Sequence, residues 1–436
     1  MKVALLGNMN NIFFATARHL RAAGVDAHLF LFDDTPAHFH PSQDSFSLEY
    51  QSYTTQLPYG TWQTFAQTPR DAILDAVQGY DFLIGMGTAP ALLHRAGRSL
   101  DVFLAYGDDI ISFPFWLGMP TSSTWKSVLG LPPHQRGGIR EAAVCIGMAS
   151  PRDDALYAKL QIRGKRVISA VPLVCSLEFS PEKVGEYATR SNYYAYFKEL
   201  RERSDVLVFN HSRIAIDKTV NYKGTEKLLE GFASFVKKHP KVRANLAILE
   251  YGPDVARARE LAERLGIGHA VRWFPLMARK EVLLGLSLAD VACGELGYSY
   301  LYGGAITECI AMGKPMIHYR NDADFPAEDL FPILPAYTAE DVLAQLERFL
   351  SDPAGVRAVG EKAREVFETR ITTRGVRTLC ALIEEKRRTG KVTASTIEPD
   401  LVATLPDAST VPALGDHGRG PVAKVGALVR RALYGI

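Results

Sequence analysis

The fold class is decided by the stretch Gly294-Glu295-Leu296-Gly297-Tyr298-Ser299-Tyr300-Leu301-Tyr302-Gly303-Gly304-Ala305-Ile306-Thr307-Glu308-Cys309-Ile310-Ala311-Met312-Gly313-Lys314-Pro315-Met316-Ile317. Before it, the apolar residues 289–293 predict a strand. Within it, residues 303–312 predict a short helix that Gly313 ends, and residues 314–319 predict the next strand. The stretch therefore predicts a βαβ unit whose helix begins at glycines.

The glycines at the start of this helix, Gly303 and Gly304, leave its first backbone N–H groups open to a ligand. The helix dipole favours an anion there, so we expect the phosphates of a ligand at this point. Glu308 follows about one and a half turns later, and its carboxylate suits a pair of hydroxyls, such as those of a ribose. The alternative is an ordinary βαβ crossover with a glycine-rich turn.

The stretch resembles the nucleotide-sugar-binding signature of the retaining GT-B glycosyltransferases of family 4, Glu-x-Phe-Gly-x-x-x-x-Glu-Ala-Met-Ala-x-Gly-x-Pro-Val-Ile. The matching residues are Tyr302-Gly303, Glu308, Ala311-Met312-Gly313 and Pro315-Met316-Ile317. In that family the first Glu holds the donor sugar and the second holds the ribose, so the resemblance assigns Glu308 to the ribose. The first Glu falls on Tyr300 here. Either Glu295 supplies the sugar contact from the loop, or Tyr300 serves a different sugar.

A basic loop, residues 211–224, follows the predicted strand 205–210 and precedes a predicted helix. Basic side chains ahead of a helix start can grip a diphosphate. The segment resembles the family's Arg-x(4)-Lys-Gly-x-x-x-Leu-Leu-x-x-Phe through Arg213, Lys223-Gly224, Leu228-Leu229 and Phe232, with a longer separation between Arg and Lys.

The resemblance implies that Arg213 and Lys223 neutralise the leaving diphosphate and so act as catalytic residues. Lys218 competes with Lys223 for this contact, and a solvated surface loop is the alternative for any of these cations. We also assign Gly252, in the turn that ends the predicted strand segment 244–253, to the donor site.

The first half of the chain opens with a strand, a turn, an amphipathic helix and a second strand over residues 2–32, which predicts a doubly wound α/β domain. The turn 7–11 lacks the later glycines of a dinucleotide fingerprint, so we predict no dinucleotide cofactor there. It is either an edge of the acceptor or donor site or a plain tight turn. Residues 35–68 predict a long irregular insertion.

Asp108 and Asp109 lie at the end of a predicted strand, where ligands of open α/β sheets bind. We assign both as catalytic candidates that hydrogen-bond an acceptor hydroxyl; the alternative is that one of them caps the following turn. The matching segment of the resembling family faces the cleft between its domains.

Composition is that of an ordinary soluble globular protein: 436 residues, 22% charged and 47% hydrophobic, with a net charge of +2 that indicates no nucleic-acid partner. The cysteines are Cys145, Cys175, Cys293, Cys309 and Cys380. Their spacing fits no metal site, and an odd, scattered set indicates buried thiols in a reducing cytoplasm. The chain opens with no secretory pattern, and no apolar run approaches the ~20 residues of a spanning helix.

The acidic motif Asp322-Ala323-Asp324 resembles the metal-diphosphate motif of another glycosyltransferase fold. We interpret it as an exposed acidic loop and predict no metal. At the end of the chain, residues 421–436 predict a basic amphipathic helix. Such a helix lies on an anionic membrane surface, or packs on its own protein or on a partner.

The alternation of strands and helices predicts two doubly wound (Rossmann-like) parallel-sheet domains, which the resemblance identifies as the GT-B fold with its cleft. The predicted parts are an acceptor-side domain (1–180), an interdomain linker (181–204), a nucleotide-sugar domain (205–370), a helix crossing back to the first domain (371–390), a flexible linker (391–420) and the terminal helix (421–436).

The function that the resemblance implies is retaining, hexosyltransferase-like transfer of a sugar from a nucleotide diphosphate sugar to a glycan, lipid or protein acceptor, without a cofactor. Family habit adds cell-surface polysaccharide assembly and a cytoplasmic location, at the inner face of the membrane if the tail binds it. Two alternatives remain. One is a nucleotide-sugar epimerase. The other is a catalytically silent GT-B module, which Tyr300 at the position of the expected Glu favours.

Overall fold

The protein, in a computed structural model, is described over residues 1–33, 35–115, 125–216 and 222–410. Its internal contacts divide the chain into two compact units, each assembled from separate stretches of sequence. The first contains Met1–Pro41, Leu48–Pro172 and the chain from Thr373 onward. The second contains Ser42–Ser47 and Leu173–Thr372. The predicted linker 181–204 is therefore an integral part of the second unit.

The strands, in chain order, are β1 (Lys2–Leu6), β2 (Asp26–Leu31), β3 (Thr54–Gln56), β4 (Phe82–Gly85), β5 (Val102–Leu104), β6 (Val144–Gly147), β7 (Lys165–Ile168), β8 (Val206–Asn210), β9 (Ala244–Glu250), β10 (Val271–Pro275), β11 (Val291–Cys293), β12 (Met316–His318), β13 (Leu334–Pro335) and β14 (Val402–Ala403).

The helices are α1 (Ile12–Ala22), α2 (Arg70–Val77), α3 (Ala89–Arg95), α4 (Asp108–Ile111), α5 (Trp125–Glu141), α6 (Pro151–Leu160), α7 (Tyr194–Glu202), α8 (Thr225–Lys238), α9 (Val255–Arg264), α10 (Arg279–Leu288), α11 (Gly304–Ala311), α12 (Ala339–Ser351), α13 (Pro353–Val366) and α14 (Arg374–Thr389). The βαβ unit predicted from the opening stretch is present as β11, α11 and β12.

The sheet of the first unit has the order β14-β7-β6-β5-β4-β1-β2-β3 in the described part of the chain. Neighbouring strands are parallel except β14, which runs antiparallel to β7. In chain order, β2 is placed on one side of β1, and β4 is then placed on the other side. Ligands of open α/β sheets bind at the carboxyl ends of strands where the order reverses in this way.

The sheet of the second unit has the order β10-β9-β8-β11-β12-β13 and is parallel throughout the described residues. Its order reverses between β8 and β11, whose last residues, Asn210 and Cys293, are paired across the sheet. The residues that follow them, His211 and Gly294, therefore lie next to each other at the reversal point. This is where a ligand of the second unit is expected.

The core of the second unit lies where α8 covers the sheet. Leu228, Leu229, Phe232 and Phe235 recur at helical spacing along α8, and all four are fully buried. They pack with strand residues of β8 and β9 and with α12, which begins at a capping box made by Thr338 and Asp341. This packing holds the start of α8, directly after the basic loop, in a fixed position.

Helix α7, inside the predicted linker, is anchored by Phe197. This ring is fully buried and stacks on Phe274 with centroids 4.4 Å apart. The buried aromatic contact explains why residues predicted as a linker belong to a packed unit.

Two further predictions are corrected. The insertion 35–68 is not wholly irregular, because it contributes β3 to the edge of the first sheet. The predicted linker 391–420 is ordered as far as it is described. The buried carboxylate of Glu385 accepts hydrogen bonds from Thr393, Ala394 and Ser395, and β14 then pairs with β7. The sequence does not predict either strand, because each has only two or three residues.

Lys218 and the predicted terminal helix 421–436 lie outside the described residues. Within the described residues, no helix is both long enough and apolar enough to span a bilayer. All five cysteines are free thiols, and Cys293 and Cys309 are buried, as predicted.

Candidate functional site

Two loops of the second unit meet at the carboxyl ends of β8 and β11. Ser212, after β8, donates its hydroxyl hydrogen bond to the carbonyl of Gly294, after β11, at 3.0 Å. The amide of Leu296 donates to the carbonyl of Lys223, at 2.9 Å. The basic loop and the glycine-rich loop are therefore joined through their backbones.

Glycines make this backbone approach possible. Gly224, just before α8, has φ +71, and a Cβ there would lie 2.7 Å from the carbonyl carbon of Leu296. A Cβ on Gly297 would lie 2.3 Å from the carbonyl oxygen of Tyr222. Both distances are shorter than any real Cβ contact, so larger residues would push the loops apart. The spacing of Lys223 from the glycine-rich loop depends on these two positions.

Glu308, on α11, lies in a buried ionic cluster. Arg279 Nε donates to Glu308 Oε1 at 2.6 Å, and His211 Nε2 lies 2.9 Å from Glu308 Oε2. Burial alone raises the pKa of Glu308, but Arg279 and His211 outweigh it and hold the pKa below its ordinary value. Glu308 is therefore a carboxylate, with one neighbour on each oxygen.

The cluster continues from Arg279 to a fourth residue, Asp44. Arg279 Nη1 lies 2.7 Å from Asp44 Oδ2, and both side chains are no more than 10% exposed. Burial lowers the pKa of Arg279, but Asp44 and Glu308 raise it by more, so the guanidinium stays charged. One buried cation thus bridges two buried carboxylates.

A second ionic group lies beside the start of α11. Lys223 Nζ is 2.6 Å from Glu295 Oε1 and 5.0 Å from the centre of the Tyr300 ring. The other carboxylate oxygen, Glu295 Oε2, is buried and has no hydrogen-bond partner among the described residues. A buried carboxylate oxygen without a donor is costly, and a ligand hydroxyl would satisfy it.

His318, at the end of β12, holds the loop that carries Glu295 and Tyr300. Its Nδ1 lies 3.1 Å from the amide nitrogen and 2.8 Å from the carbonyl oxygen of Glu295, and its Nε2 lies 2.8 Å from the carbonyl oxygen of Tyr300. Burial lowers the pKa of His318 to about 4. The ring is therefore neutral near pH 7.

The start of α11 is open to a ligand. Gly303 has an extended backbone that any residue adopts, and Gly304 begins the helix. A Cβ on Gly303 would meet nothing closer than 3.7 Å, and Glu295 Oε1 would be 3.8 Å away. Packing within the unit therefore does not require glycine here. The missing side chain leaves room beside the first N–H groups of α11 and the Lys223–Glu295 pair.

Arg213 and Gly252 lie on neighbouring loops of the same edge. The amide of Ile214 donates to the carbonyl of Tyr251 at 2.6 Å, which joins the segment after β8 to the turn after β9. Arg213 is half-buried and forms no hydrogen bond or ion pair with any residue that the structure describes. Its charge is therefore available to a ligand.

The two aspartates of the first unit have different surroundings. Asp109 is fully buried, and its carboxylate accepts backbone N–H groups from Gly87, Tyr106 and Gly107 at 2.8 to 3.1 Å. Burial raises the pKa of Asp109 to about 6 against the lowering by these N–H groups. Asp109 thus fits the turn-capping alternative. Asp108 is exposed at the start of α4 and stays a candidate for an acceptor contact.

The turn after β1 lies at the reversal point of the first sheet. Asn10 and Asn11 both have left-handed backbones, with φ of 52 and 59. The Asn10 amide donates to the Tyr106 hydroxyl at 3.0 Å, so this turn reaches the end of β5. Residues in such conformations occur in turns and at ligand sites, and both alternatives for this turn stay open.

No group of three or more His, Cys, Asp and Glu side chains in the described part of the chain is arranged to hold a metal ion. Asp322 pairs with Arg320 at 2.7 Å, and Asp324 accepts from Asn321 at 2.8 Å. The two carboxylates of this motif thus have partners within their own loop.

Three residues of the ionic cluster escaped the sequence analysis: His211, Arg279 and Asp44. His211 carried a usable signal, because it directly follows a buried strand at the reversal point of the sheet. Arg279 begins a helix without any motif, and Asp44 lies 235 residues from it in sequence. Only the folded chain brings that pair together.

No family model and no curated protein matches the sequence. Solved structures match it in fold. HepE of Anabaena in complex with UDP has a TM-score of 0.56 at 13% identity, over 88% of this chain and 100% of that chain. Sucrose-phosphate synthase of Thermosynechococcus elongatus has a TM-score of 0.56 at 16% identity, over 90% and 100%. A glycosyltransferase of Rickettsia africae has a TM-score of 0.55 at 13% identity, over 89% and 99%.

At these identities the likeness establishes the fold. Two units with mostly parallel sheets and flanking helices are what the matched structures share with this chain, and the predicted α/β class is confirmed. The chain therefore has the GT-B fold, as the resemblance of the opening stretch implied.

Proposed function

We propose that the protein is a glycosyltransferase. It moves a glycosyl unit from a nucleotide diphosphate sugar to a glycan, lipid or protein acceptor, with retention at the anomeric carbon. The donor binds at the reversal point of the second sheet. The observation that carries the proposal is the pair of ionic groups on either side of the start of α11: Glu308 with Arg279 and His211, and Lys223 with Glu295.

The ribose contact is assigned to Glu308. An ionised carboxylate has about four lone-pair sites; Arg279 donates to one on Oε1, and His211 Nε2 lies 2.9 Å from Oε2. Two sites are left for the two hydroxyls of a ribose. Since both neighbours also orient the carboxylate, little ordering is needed when the nucleotide binds.

The diphosphate is assigned to Lys223, Arg213 and the N–H groups that begin α11. Lys223 has three donors, so it holds Glu295 and still has donors for a phosphate oxygen. Negative charge develops on the diphosphate as the sugar leaves, and fixed cations there lower the barrier more than they strengthen ground-state binding. This scheme needs neither a protein nucleophile nor a metal.

The sugar contact is assigned to Glu295, whose Oε2 is buried without a partner in the described part of the chain. Tyr300 stands where the resembling family has its Glu, and the centre of its ring lies 5.0 Å from Lys223 Nζ. HepE has been solved with UDP-glucose, at a TM-score of 0.53 and 12% identity. Uridine donors and glucose are therefore the first to test.

Thermal stabilisation by UDP, GDP, ADP and their sugar conjugates tests the proposal. One nucleotide at about 100 times its dissociation constant should add about 2.7 kcal/mol of stability. Glu308→Gln, which keeps the shape, should weaken this binding. Arg213→Ala and Lys223→Ala should lower turnover far more than stability. The surface changes Arg257→Ala and Lys237→Ala, on exposed helix positions, are the matched controls.

Three results would contradict the proposal. Stabilisation by none of the nucleotides would indicate the silent GT-B module. Interconversion of the donor sugar without an acceptor would indicate an epimerase. Full turnover in both Arg213→Ala and Lys223→Ala would exclude the assigned diphosphate contacts.

A further inference from the structure

Residues Ser42–Ser47, which we call the strap, belong to the second unit although the sequence on both sides of them belongs to the first. The strap is held at several points. Ser45 Oγ and the amide of Phe46 donate to the same oxygen of Glu178, at 3.1 and 2.9 Å. The Phe46 ring stacks on Tyr187 with centroids 5.4 Å apart and an angle of 12°. These contacts fix the backbone of the strap around Asp44.

The strap contacts the first residues of α10. Lys280 Nζ donates to the carbonyl of Ser45 at 3.3 Å, and Arg279 Nη1 donates to Asp44 Oδ2 at 2.7 Å. Arg279 then donates through Nε to Glu308 Oε1 at 2.6 Å. Because a guanidinium is a rigid plane, a partner on Nη1 and another on Nε fix its orientation completely. Asp44 is therefore one end of a three-residue chain that ends at Glu308.

We propose that Asp44 is a positioning residue for the nucleotide-sugar site: it holds Arg279 so that this residue takes only one oxygen of Glu308 and leaves the carboxylate open to the ribose. This inference rests on the proposed function, since it concerns how the assigned ribose contact is kept available. It gives the strap a role in the donor site of the second unit.

The physical reason is the competition for a buried guanidinium. Paired carboxylates and guanidinium groups prefer two parallel hydrogen bonds. Without the Asp44 charge, Arg279 loses one of the two carboxylates that hold it, and the pull of Glu308 turns a second donor toward that carboxylate. That arrangement uses lone pairs on both Glu308 oxygens, one of which lies 2.9 Å from His211 Nε2. It also neutralises the charge that strengthens hydrogen bonds from ribose hydroxyls.

The test compares a nucleoside diphosphate with its 2′,3′-dideoxy counterpart, using whichever of UDP, GDP and ADP binds the full-length protein. Two hydroxyls donating to a charged carboxylate should make the ribonucleotide at least about tenfold tighter. In Asp44→Asn we expect this ratio of dissociation constants to fall below about threefold, while the affinity for the dideoxy compound changes little. Glu308→Gln should reduce the ratio in the same way.

Asp101→Asn is the matched control. Asp101 is also a buried aspartate that is paired with a cation, Lys386, but within the first unit. Its loss should lower stability and leave the ribose ratio unchanged. Asp44→Glu, which keeps the charge, is the second variant and should retain more of the ratio than Asp44→Asn.

The outcomes separate the two proposals. A wild-type ratio that persists in Asp44→Asn but is lost in Glu308→Gln overturns the positioning role and leaves the proposed function intact. Absence of any nucleotide binding by the wild type overturns both. A double-mutant cycle of Asp44→Asn and Glu308→Gln, followed by urea unfolding without ligand, gives an independent reading. If the two changes have non-additive effects on the free energy of unfolding, the contact from Asp44 through Arg279 to Glu308 is supported. Additive effects overturn it.

Discussion

Replacement of His318 by glutamine should remove much of the acid sensitivity of the second unit. His318 is fully buried and neutral, with its Nδ1 beside the backbone of Glu295 and its Nε2 2.8 Å from the carbonyl oxygen of Tyr300. Protonation would place a buried charge near Arg320 and Lys223, both of which lower the pKa further. A glutamine can donate to the same carbonyl and cannot be protonated in this range.

The magnitude follows from the pKa. Burial lowers the pKa of His318 from 6.5 to about 4 in the folded protein. At about 1.36 kcal/mol for each pKa unit, the difference is worth about 3.4 kcal/mol in full. The unfolded chain takes up this proton as the pH falls through 6.5, whereas the folded protein does not until about 4. Stability is therefore lost on acidification, by about 2 kcal/mol between about pH 7.5 and about pH 5.

The assay is hydrogen exchange of peptides from the second sheet in increasing urea, at about pH 7.5 and about pH 5, corrected for intrinsic exchange rates. Because these peptides come from the second unit, their exchange reports the stability of that unit alone. His19 in the first unit, whose pKa burial also lowers to about 4, is common to both proteins and does not affect the comparison. If His318→Gln loses as much stability on acidification as the wild type, the assignment of a neutral, buried His318 as the acid-sensitive group is wrong.

Two further changes test the packing around the site and the end of the described chain. Gly297→Ala places a Cβ 2.3 Å from the Tyr222 carbonyl oxygen. It should lower the free energy of unfolding, measured in urea, by about 1–3 kcal/mol and weaken nucleotide binding. In the control Gly185→Ala, where a Cβ meets nothing within 4 Å, the free energy of unfolding should change by no more than about 0.5 kcal/mol. Glu385→Ala removes the acceptor for residues 393–395 and should expose residues 391–410 to limited proteolysis; unchanged cleavage would show that β14 holds this segment by itself.

The sequence predicts those parts of the site that depend on local pattern. An apolar strand, a glycine-rich turn and a short helix are each encoded within about ten residues, so β11, α11 and the placement of Glu308 on that helix could be derived. The pairing of Lys223 with Glu295 could not. It depends on two glycines, Gly224 and Gly297, whose close approach is visible only between folded loops.

The remaining parts of the site depend on contacts between residues far apart in the chain. No periodicity or motif relates Asp44 to Arg279, and an isolated aspartate in a segment rich in Pro and Ser predicts a turn. The same reason explains the strands missed at β3 and β14. Each is too short to show an alternating pattern and forms because a neighbouring edge is available.

The interleaved sequence of the two units has a consequence for biosynthesis. The first unit needs α14 and β14, which the ribosome makes after the whole second unit, whose last residue is Thr372. Domains commonly fold in the order in which they are synthesised. Here that order is reversed: the second unit, which includes the early strap, is complete while the first still lacks an edge strand and its final helix. The amino-terminal half of the chain therefore gains its last packed elements only after the second unit has been made.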